Sequence, residues 1–391
     1  MKDLIYDYAI IGAGAAGLHL ALAMLEDSWF ANKNILIVEK EDKNVDDRTW
    51  SYWEKGAGKW DKLIAKSWQK GLFNTNENSI PLDLAPYEYK MLHSLDFYQN
   101  AKAEIAKSNQ LTWIKETVQS VQTGPFLSIQ GTNNTYQAKQ VFDSRIDEGF
   151  NKKEDKYYRV LQHFKGWVIE SKDPVFDPEI FVMMDYQVKW KDSTSFTYVL
   201  PTSPYSAMIE FTLFNLEFID THTYDKLLKK YIKEILKIKD YTISKVEYGV
   251  IPMSDYPFHK ANKKGLTKIG TAGSWVKPSS GYAFKNIEKM AGKVVDNLKQ
   301  GRTPDYGLIN ARFRWYDSIY LDVFSVSNEL GESIFKSMYS KNSIQQIFKF
   351  LDEETTPLEE LKIINSFTPW PFLKAVFFQF SGIRLGKNKA S

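Results

Sequence analysis

Tyr8-Ala9-Ile10-Ile11-Gly12-Ala13-Gly14-Ala15-Ala16-Gly17-Leu18-His19-Leu20 is the stretch on which the reading of this chain turns. The segment from Tyr8 to Leu25 is almost free of charge and about as long as a short membrane-spanning helix, and with Lys2 ahead of it it also has the look of a signal peptide. The glycines at 12, 14 and 17 break both readings: the run before them is apolar and β-branched, and the run after them is rich in Ala and Leu. Asp7–Ile11 therefore reads as a buried parallel strand and Ala15–Leu25 as a helix. Asn34–Glu39 reads as a second strand ending on an acid. That order predicts a right-handed βαβ crossover. No other stretch approaches spanning length, so no transmembrane segment is expected.

Gly12-Ala13-Gly14-Ala15-Ala16-Gly17 fits G-x-G-x-x-G between a strand and a helix. Gly12 permits the tight turn, Gly14 lets the backbone approach a pyrophosphate, and Gly17 lets helix and strand pack closely. The helix N-terminus offers unpaired N–H groups and a positive dipole end to phosphates. Glu39 stands where an acid accepts from a ribose 2′-hydroxyl, which favours FAD or NAD over NADP. The competing reading is a glycine-rich turn that binds nothing. FAD is favoured over NAD by the position of the fingerprint at the extreme N-terminus and by a late strand and turn, Lys268-Ile269-Gly270-Thr271-Ala272-Gly273, with Pro278 and Gly281 after it. In many flavoproteins such an element holds the ribityl chain and aims a helix N-terminus at the isoalloxazine, which places Gly270, Thr271, Gly281 and Tyr282 among the candidate cofactor contacts. Thr271 stands where many of them carry an acid.

The chain has 391 residues, room for one large or two ordinary domains. Its 51 basic and 48 acidic residues leave a net charge of +3, too little to argue for nucleic acid. Cysteine is absent, which excludes disulfides, thiolate zinc sites, iron–sulfur clusters and cysteine nucleophiles and fits a reducing cytoplasm. Five histidines without ligand spacing argue against a metal. Aromatics reach 15%, from a thick core, from a large apolar ligand cavity, or from a general preference of the lineage for aromatic residues.

Ala138–Asp143 reads as another strand of the nucleotide domain. Phe181–Trp190, Ser195–Val199 and Ala207–Phe214 alternate apolar with polar residues, as an antiparallel sheet does. Asp220–Ile238 has helical spacing. Asn286–Leu298 places Ile287, Met290, Ala291, Val294, Val295 and Leu298 on one helical stripe, and the chain after Pro304 is aromatic and helical. The expected fold class is α/β: a Rossmann-type FAD-binding domain with an inserted antiparallel β-rich substrate domain and a helical C-terminal part. Residues 1–60, about 110–150 and 245–300 form the first in this reading. About 61–109 and 151–244 form the second, and 301–391 the third.

Several phrases, in order, resemble one family. They are Arg48-Thr49-Trp50-Ser51-Tyr52-Trp53, Val141-Phe142-Asp143-Ser144-Arg145, Leu161-Gln162-His163-Phe164-Lys165-Gly166-Trp167, Phe181 through Asp185, Tyr198-Val199-Leu200-Pro201, Gly249-Val250-Ile251-Pro252-Met253, and Lys277-Pro278-Ser279-Ser280-Gly281-Tyr282-Ala283-Phe284. Their order and spacing, from about residue 5 to about residue 380, resemble the flavoprotein lycopene cyclases of carotenoid biosynthesis. The resemblance implies an intramolecular lyase, or isomerase, that folds the ψ ends of lycopene into β-ionone rings, giving γ- and then β-carotene. It also implies FAD active in its reduced form, with NAD(P)H as reductant. The family's scheme protonates the terminal double bond, lets the carbocation close the ring, and removes a ring proton. Such chemistry needs an acid held neutral in an apolar site and an electron-rich environment for the cation.

The family's acidic signature falls on Met208-Ile209-Glu210-Phe211-Thr212, where its common form has two adjacent acids. Glu210 matches the first and is the candidate acid/base, or the carboxylate orienting it; the alternative for an acid in such a strand is one pointing to solvent. Phe211 replaces the second. Asp143 is the other catalytic candidate, at a strand end where open α/β sheets bind ligands. Arg48 pairs either with flavin phosphate or ribose or with Asp46 or Asp47. Phe350-Leu351-Asp352-Glu353-Glu354-Thr355 resembles the acidic signature but precedes Pro357 in a helical region and reads as a solvated helix end. Lycopene, or a related linear carotenoid, dissolves in bilayers, so the expected partner is a membrane surface and the expected location the cytoplasm, peripherally on the inner face of the membrane. Phe367–Leu385, with Trp370, Phe372, Phe377, Phe378, Phe380, Lys374, Arg384 and then Lys387 and Lys389, reads either as an interfacial helix or as one packed on the core. A flavin monooxygenase or isoprenoid reductase is the competing enzyme, and a non-catalytic dinucleotide-binding protein the competing class.

Overall fold

The strand Ile5–Ile11, the helix Ala15–Glu26 and the strand Ile35–Glu39 open a computed structural model that describes residues 4–151 and 157–381. All five residues of Ile35–Glu39 are buried, because both faces of this parallel sheet are covered. Ile5–Ile11 pairs in parallel with Ile35–Glu39 on one side and Thr135–Asp143 on the other. Leu111–Lys115 extends one edge, and Leu266–Lys268 adds in parallel beside Val141–Asp143. Antiparallel strands Leu127–Gly131 and Val118–Gln122 complete this layer.

The helix Ala15–Glu26 is buried on almost every side, from Ala16 through Leu22. Its partner is the helix Phe284–Lys299, whose Ile287, Met290, Ala291, Val294 and Val295 are buried in the same core. Each of the larger of these side chains stabilises by roughly 1.5–3 kcal/mol, so this stripe fixes the helix that points at the nucleotide turn.

A second sheet is antiparallel over most of its width: Tyr241–Met253, Val160–Ser171, Ser206–Asn215, Thr194–Pro201 and Ile180–Asp185, continued by Lys70–Asn74 and Ser79–Asp83. One face is covered by the helix Thr221–Glu234, and the other looks toward the nucleotide cleft and the C-terminal helices. A three-stranded sheet of Thr49–Lys55, Tyr87–His93 and Ile64–Trp68 lies between the layers. The C-terminal part is helical: Ala311–Val326, Gly331–Lys341, Ile344–Leu351, Pro357–Ile364 and Pro369–Phe380.

Three sequence-based boundaries move. The helix Ser94–Ala106, expected in the substrate domain, packs Phe97, Tyr98, Ala101 and Ile105 into the nucleotide core. Tyr241–Met253 is one continuous strand of the substrate sheet, so the nucleotide domain resumes after Met253 rather than at 245. The strand expected over Phe181–Trp190 ends at Asp185, where Tyr231 and Gln187 both donate to the Asp185 carboxylate and turn the chain.

Candidate functional site

The glycine turn is held from beneath. Gly12 adopts φ +96°, which disfavours any side chain, and its amide donates to the Val38 carbonyl at 2.9 Å. A Cβ at Gly17 would overlap the Gly12 carbonyl oxygen, so only glycine lets the helix lie this close to the strand. At Gly14 a Cβ would meet nothing, because that position faces open space. That space is a cleft of about 430 Å³ lined by Gly14, Ala15, Ala16 and Gly17. No side chain caps the helix that starts there, leaving its first amides directed at the cleft.

Gly12 and Ala13 brace the turn and do not line the cleft. Glu39 does the same: it is buried, and its carboxylate accepts from the Ala13 amide at 2.5 Å and the Glu41 amide at 3.0 Å. The opposite wall comes from Arg48, Gly270, Thr271, Gly281, Tyr282 and the start of the helix Phe284–Lys299. Arg48 donates to the carbonyls of Asp47 (2.9 Å) and Tyr248 (3.4 Å) and makes no ion pair with Asp46 or Asp47, which corrects that alternative. Lys245 holds Asp46 instead.

The cleft fits a flavin dinucleotide on its own chemistry. The side-chain oxygens of Gln162 and Ser280 are buried, line the cleft and have no protein partner. Buried polar atoms are satisfied as a rule, so these call for a polar ligand. Gly281 holds φ +70°, and a Cβ there would overlap Gln162 Oε1. The cleft is thus kept open by glycine at both ends, beside the helix N-termini at Gly14 and Ala283.

Asp143 is not part of this cleft. It is 1% exposed, its carboxylate binds Arg145 Nε and Nη2, both at 2.9 Å, and Lys268 Nζ approaches at 3.0 Å. Burial opposes its charge, but the Arg145 hydrogen bonds and the two cations outweigh it and hold the carboxyl below the ordinary range. A carboxylate engaged in this way braces the strand end and stands outside the cleft, which corrects its reading as catalytic.

Glu210 does line the cleft. On Ser206–Asn215 it sits opposite Tyr198 on one neighbouring strand and Gly166 on the other. Met208, Glu210 and Thr212 share its face, and Thr212 Oγ1 donates to Glu210 Oε1 at 2.9 Å. Burial, and then the charge of Glu247, push the Glu210 carboxyl up to about 8, against the smaller opposing pull of the Thr212 hydrogen bond. The group therefore carries a proton at neutral pH. That is an acid poised to give a proton in a site with few competing acceptors.

Behind Glu210 a second cavity, about 250 Å³ and mostly apolar, opens between the sheet and the C-terminal helices. Tyr198, Ser280 and Tyr282 line both spaces, so the two meet beside Glu210. Met183, Phe214, Tyr320, Phe335 and Tyr339 form its walls. The charged side chains on the wall, Lys277 and Asp317, neutralise each other at 3.2 Å. Glu353 reaches the same Lys277 at 3.1 Å, and Asp352 accepts from Trp53 Nε1 at 2.8 Å. The phrase read as a solvated helix end thus turns two of its three acids inward, and only Glu354 is exposed.

Sequence reasoning missed Gln162, Tyr198, Ser280 and Glu247. Gln162, Tyr198 and Ser280 lay inside quoted phrases without a role. Glu247 was legible only as an acid at an alternate position of a strand, Lys245-Val246-Glu247-Tyr248-Gly249, a pattern that solvent-facing strands share.

Among known proteins, a family model described as "Lycopene cyclase protein" matches residues 7–376. No curated protein sequence matches the chain. Solved structures share the fold. A geranylgeranyl bacteriochlorophyll reductase-like protein from Thermoplasma acidophilum is 14% identical with a TM-score of 0.61, over 95% of this chain and 99% of its own. A variant of the flavin-dependent brominase Bmp2 is 13% identical with a TM-score of 0.62, over 96% and 100%. A variant of the halogenase PltM in complex with FAD is 12% identical with a TM-score of 0.60, over 98% and 94%.

Proposed function

The chain belongs to the lycopene cyclase family, and from that premise we propose that it closes the ψ ends of lycopene, or of a related linear carotenoid, into β-ionone rings without net electron transfer. The observation that carries this reading is Glu210, a proton-bearing acid at the junction of a dinucleotide-shaped cleft and an apolar cavity. The apolar cavity takes the polyene, and its mouth brings the terminal double bond to Glu210. Glu210 delivers its proton there; the resulting cation is attacked by the neighbouring double bond, forming the ring bond. The carboxylate left on Glu210 takes back a ring proton, so one proton enters and one leaves.

FAD would be held by Gly14–Gly17 on one wall of the cleft and by Arg48, Thr271, Gln162, Ser280 and Gly281, which line the rest of it. When bound and reduced, with NAD(P)H as the source of electrons, it supplies negative charge beside the cation. The chain's own contribution is to exclude water and to surround the site with electron-rich rings, Tyr89, Tyr198 and Tyr282. Among the described residues no helix is long and apolar enough to cross a membrane. The protein reaches its substrate from the inner face of the membrane, docking through the exposed aromatics of Pro369–Phe380 around the cavity mouth.

Expression in a lycopene-accumulating cell tests the reading. Red pigment turning to cyclised orange-yellow product supports it, and unchanged lycopene in the presence of folded, flavin-loaded protein sinks it. A monooxygenase or reductase would instead consume NAD(P)H in proportion to product.

A further inference from the structure

Gly166 stands in the middle of the strand Val160–Ser171, where glycine weakens a sheet and usually marks a close approach. Its two cross-strand partners are Glu210 on one side and Glu247 on the other. Alternation puts all three on the face that lines the cleft, and both glutamates line it. A Cβ at Gly166 would lie 3.5 Å from that of Glu210. The glycine itself adds no side chain between its two acidic neighbours, and the Met208 methyl lies over it, 2.9 Å from where a Cβ would stand.

They are held very differently. Glu247 accepts from the Thr49 amide at 2.9 Å and from the Thr49 hydroxyl at 2.7 Å, and Lys245 stands 3.7 Å away. These contacts fix where its side chain lies. Glu210 has only the Thr212 hydroxyl. Around them, Tyr198 and Tyr89 approach Glu210 from other strands and Tyr224 from the helix behind the sheet. Lys245 is shared with Asp46, which His93 also approaches, and Lys165 on the reverse face is engaged by Asp225. Arg48 turns its guanidinium to backbone carbonyls.

We propose that Glu247 is the second carboxylate of this centre, a positioning residue that keeps the proton on Glu210 as its neighbour across Gly166, while Thr49 holds the Glu247 side chain in place. The proposal rests on the reading of Glu210 as the acid. It gives the tandem-acid position of the family signature a different origin here: the partner charge comes from two strands away, not from residue 211. Thr49 begins the strand Thr49–Lys55 beside the flavin cleft, so the same contact ties the acid's environment to the cofactor's wall.

The test reads the proton directly and needs no substrate. Infrared titration of the flavin-loaded protein follows the protonated-carboxyl band that disappears in Glu210→Gln. In Glu247→Gln its midpoint moves down by about one pH unit or more, as expected when a like charge is removed from a carboxyl's neighbour. In Thr49→Val, which leaves both glutamates in place, it moves the same way by less. A merely structural Glu247 would change stability and leave the midpoint where it is. An unmoved midpoint in whichever of the two variants folds overturns the proposal. Should the midpoint move while lycopene is left unchanged by the native protein, the cyclase reading fails and this inference stands.

Discussion

Phe211 follows Glu210 in the chain and lies on the opposite face of the same sheet. It is fully buried against Tyr224, Leu228 and Ile232, while Glu210 lines the cleft. Strand alternation makes the separation unavoidable. The second acid of the family's common signature is therefore absent from a position that does not reach this site. Phe211→Glu should not restore a missing catalytic group. It would bury an unpaired carboxyl in an apolar layer and lose a phenyl ring's packing, a cost of about 3–5 kcal/mol. Urea unfolding should show that loss, with no gain in cyclisation.

Glu210→Gln keeps the shape and removes the proton. Cyclisation should fall by roughly 10²–10⁴-fold, the usual contribution of a positioned acid, with FAD content unchanged in the purified protein. The native enzyme should lose activity as pH rises through about 8, because the folded carboxyl gives up its proton there. Stability follows the same sign. The folded state retains a proton between the ordinary value of 4.5 and about 8 that the unfolded state has lost, so stability declines across that window as pH rises. Thermal melts of Glu210→Gln should lack that part of the slope. A native pH profile flat to pH 9 would refute the assignment.

The nucleotide half of the molecule was legible because its signals are local. Gly12, Gly14 and Gly17 each answer a steric demand within a few residues, and the strand and helix around them follow from period and composition. The acid was legible only through the family phrase at Met208–Thr212. Its environment was not. What sets Glu210 apart is first its burial and then Glu247, 37 positions later and opposite a glycine on the strand between them, and both exist only once the sheet has formed. Asp143 failed for the same reason, since the Lys268 that locks it arrives 125 residues later.

The three glycines of the turn should fail in different ways. Gly14→Val adds a side chain toward open space, so the apoprotein should fold with nearly native stability and lose bound FAD. Gly17→Ala drives a methyl into the Gly12 carbonyl and should lower the melting temperature whether or not FAD is present. Flavin absorbance per folded protein, beside the melt, separates the two. Equal behaviour would mean that the cleft does not hold the pyrophosphate at Gly14.

Asp143→Ala should damage stability before chemistry. It leaves Lys268, 8% exposed, without its carboxylate, and breaking such a buried pair costs about 3–5 kcal/mol. The native contribution has the sign of a depressed acid. It is present above the ordinary carboxyl value of 3.8 and is lost as pH falls through the folded value below it. Wild type and variant should therefore converge in strong acid. The surviving folded fraction should cyclise at a near-native rate per flavin, which would not hold if Asp143 moved protons.

The helix Pro369–Phe380 carries its argument on one stripe. Trp370, Leu373, Phe377 and Phe380 recur at helical spacing and are 76%, 56%, 69% and 81% exposed, whereas Ala375 on the opposite side is buried. Leu358 and Leu361, on the preceding helix, are exposed as well. Arg384, Lys387 and Lys389 lie outside the described residues. Leu373 and Trp315 are exposed and also line the apolar cavity, so its mouth opens through this patch. A hydrocarbon leaving a bilayer would then pass into the cavity without crossing water, which is where the gain from apolar burial would otherwise be lost. Replacing Trp370, Phe377 and Phe380 together by Ser should abolish flotation with lycopene-loaded liposomes. It should lower cyclisation of membrane-borne substrate at least about tenfold, a floor set well below the roughly 1.5–3 kcal/mol that each fully buried ring contributes. The same variant should act normally on substrate presented in detergent, because none of the three residues lines either cavity. Flotation that survives the triple replacement would place the membrane contact elsewhere.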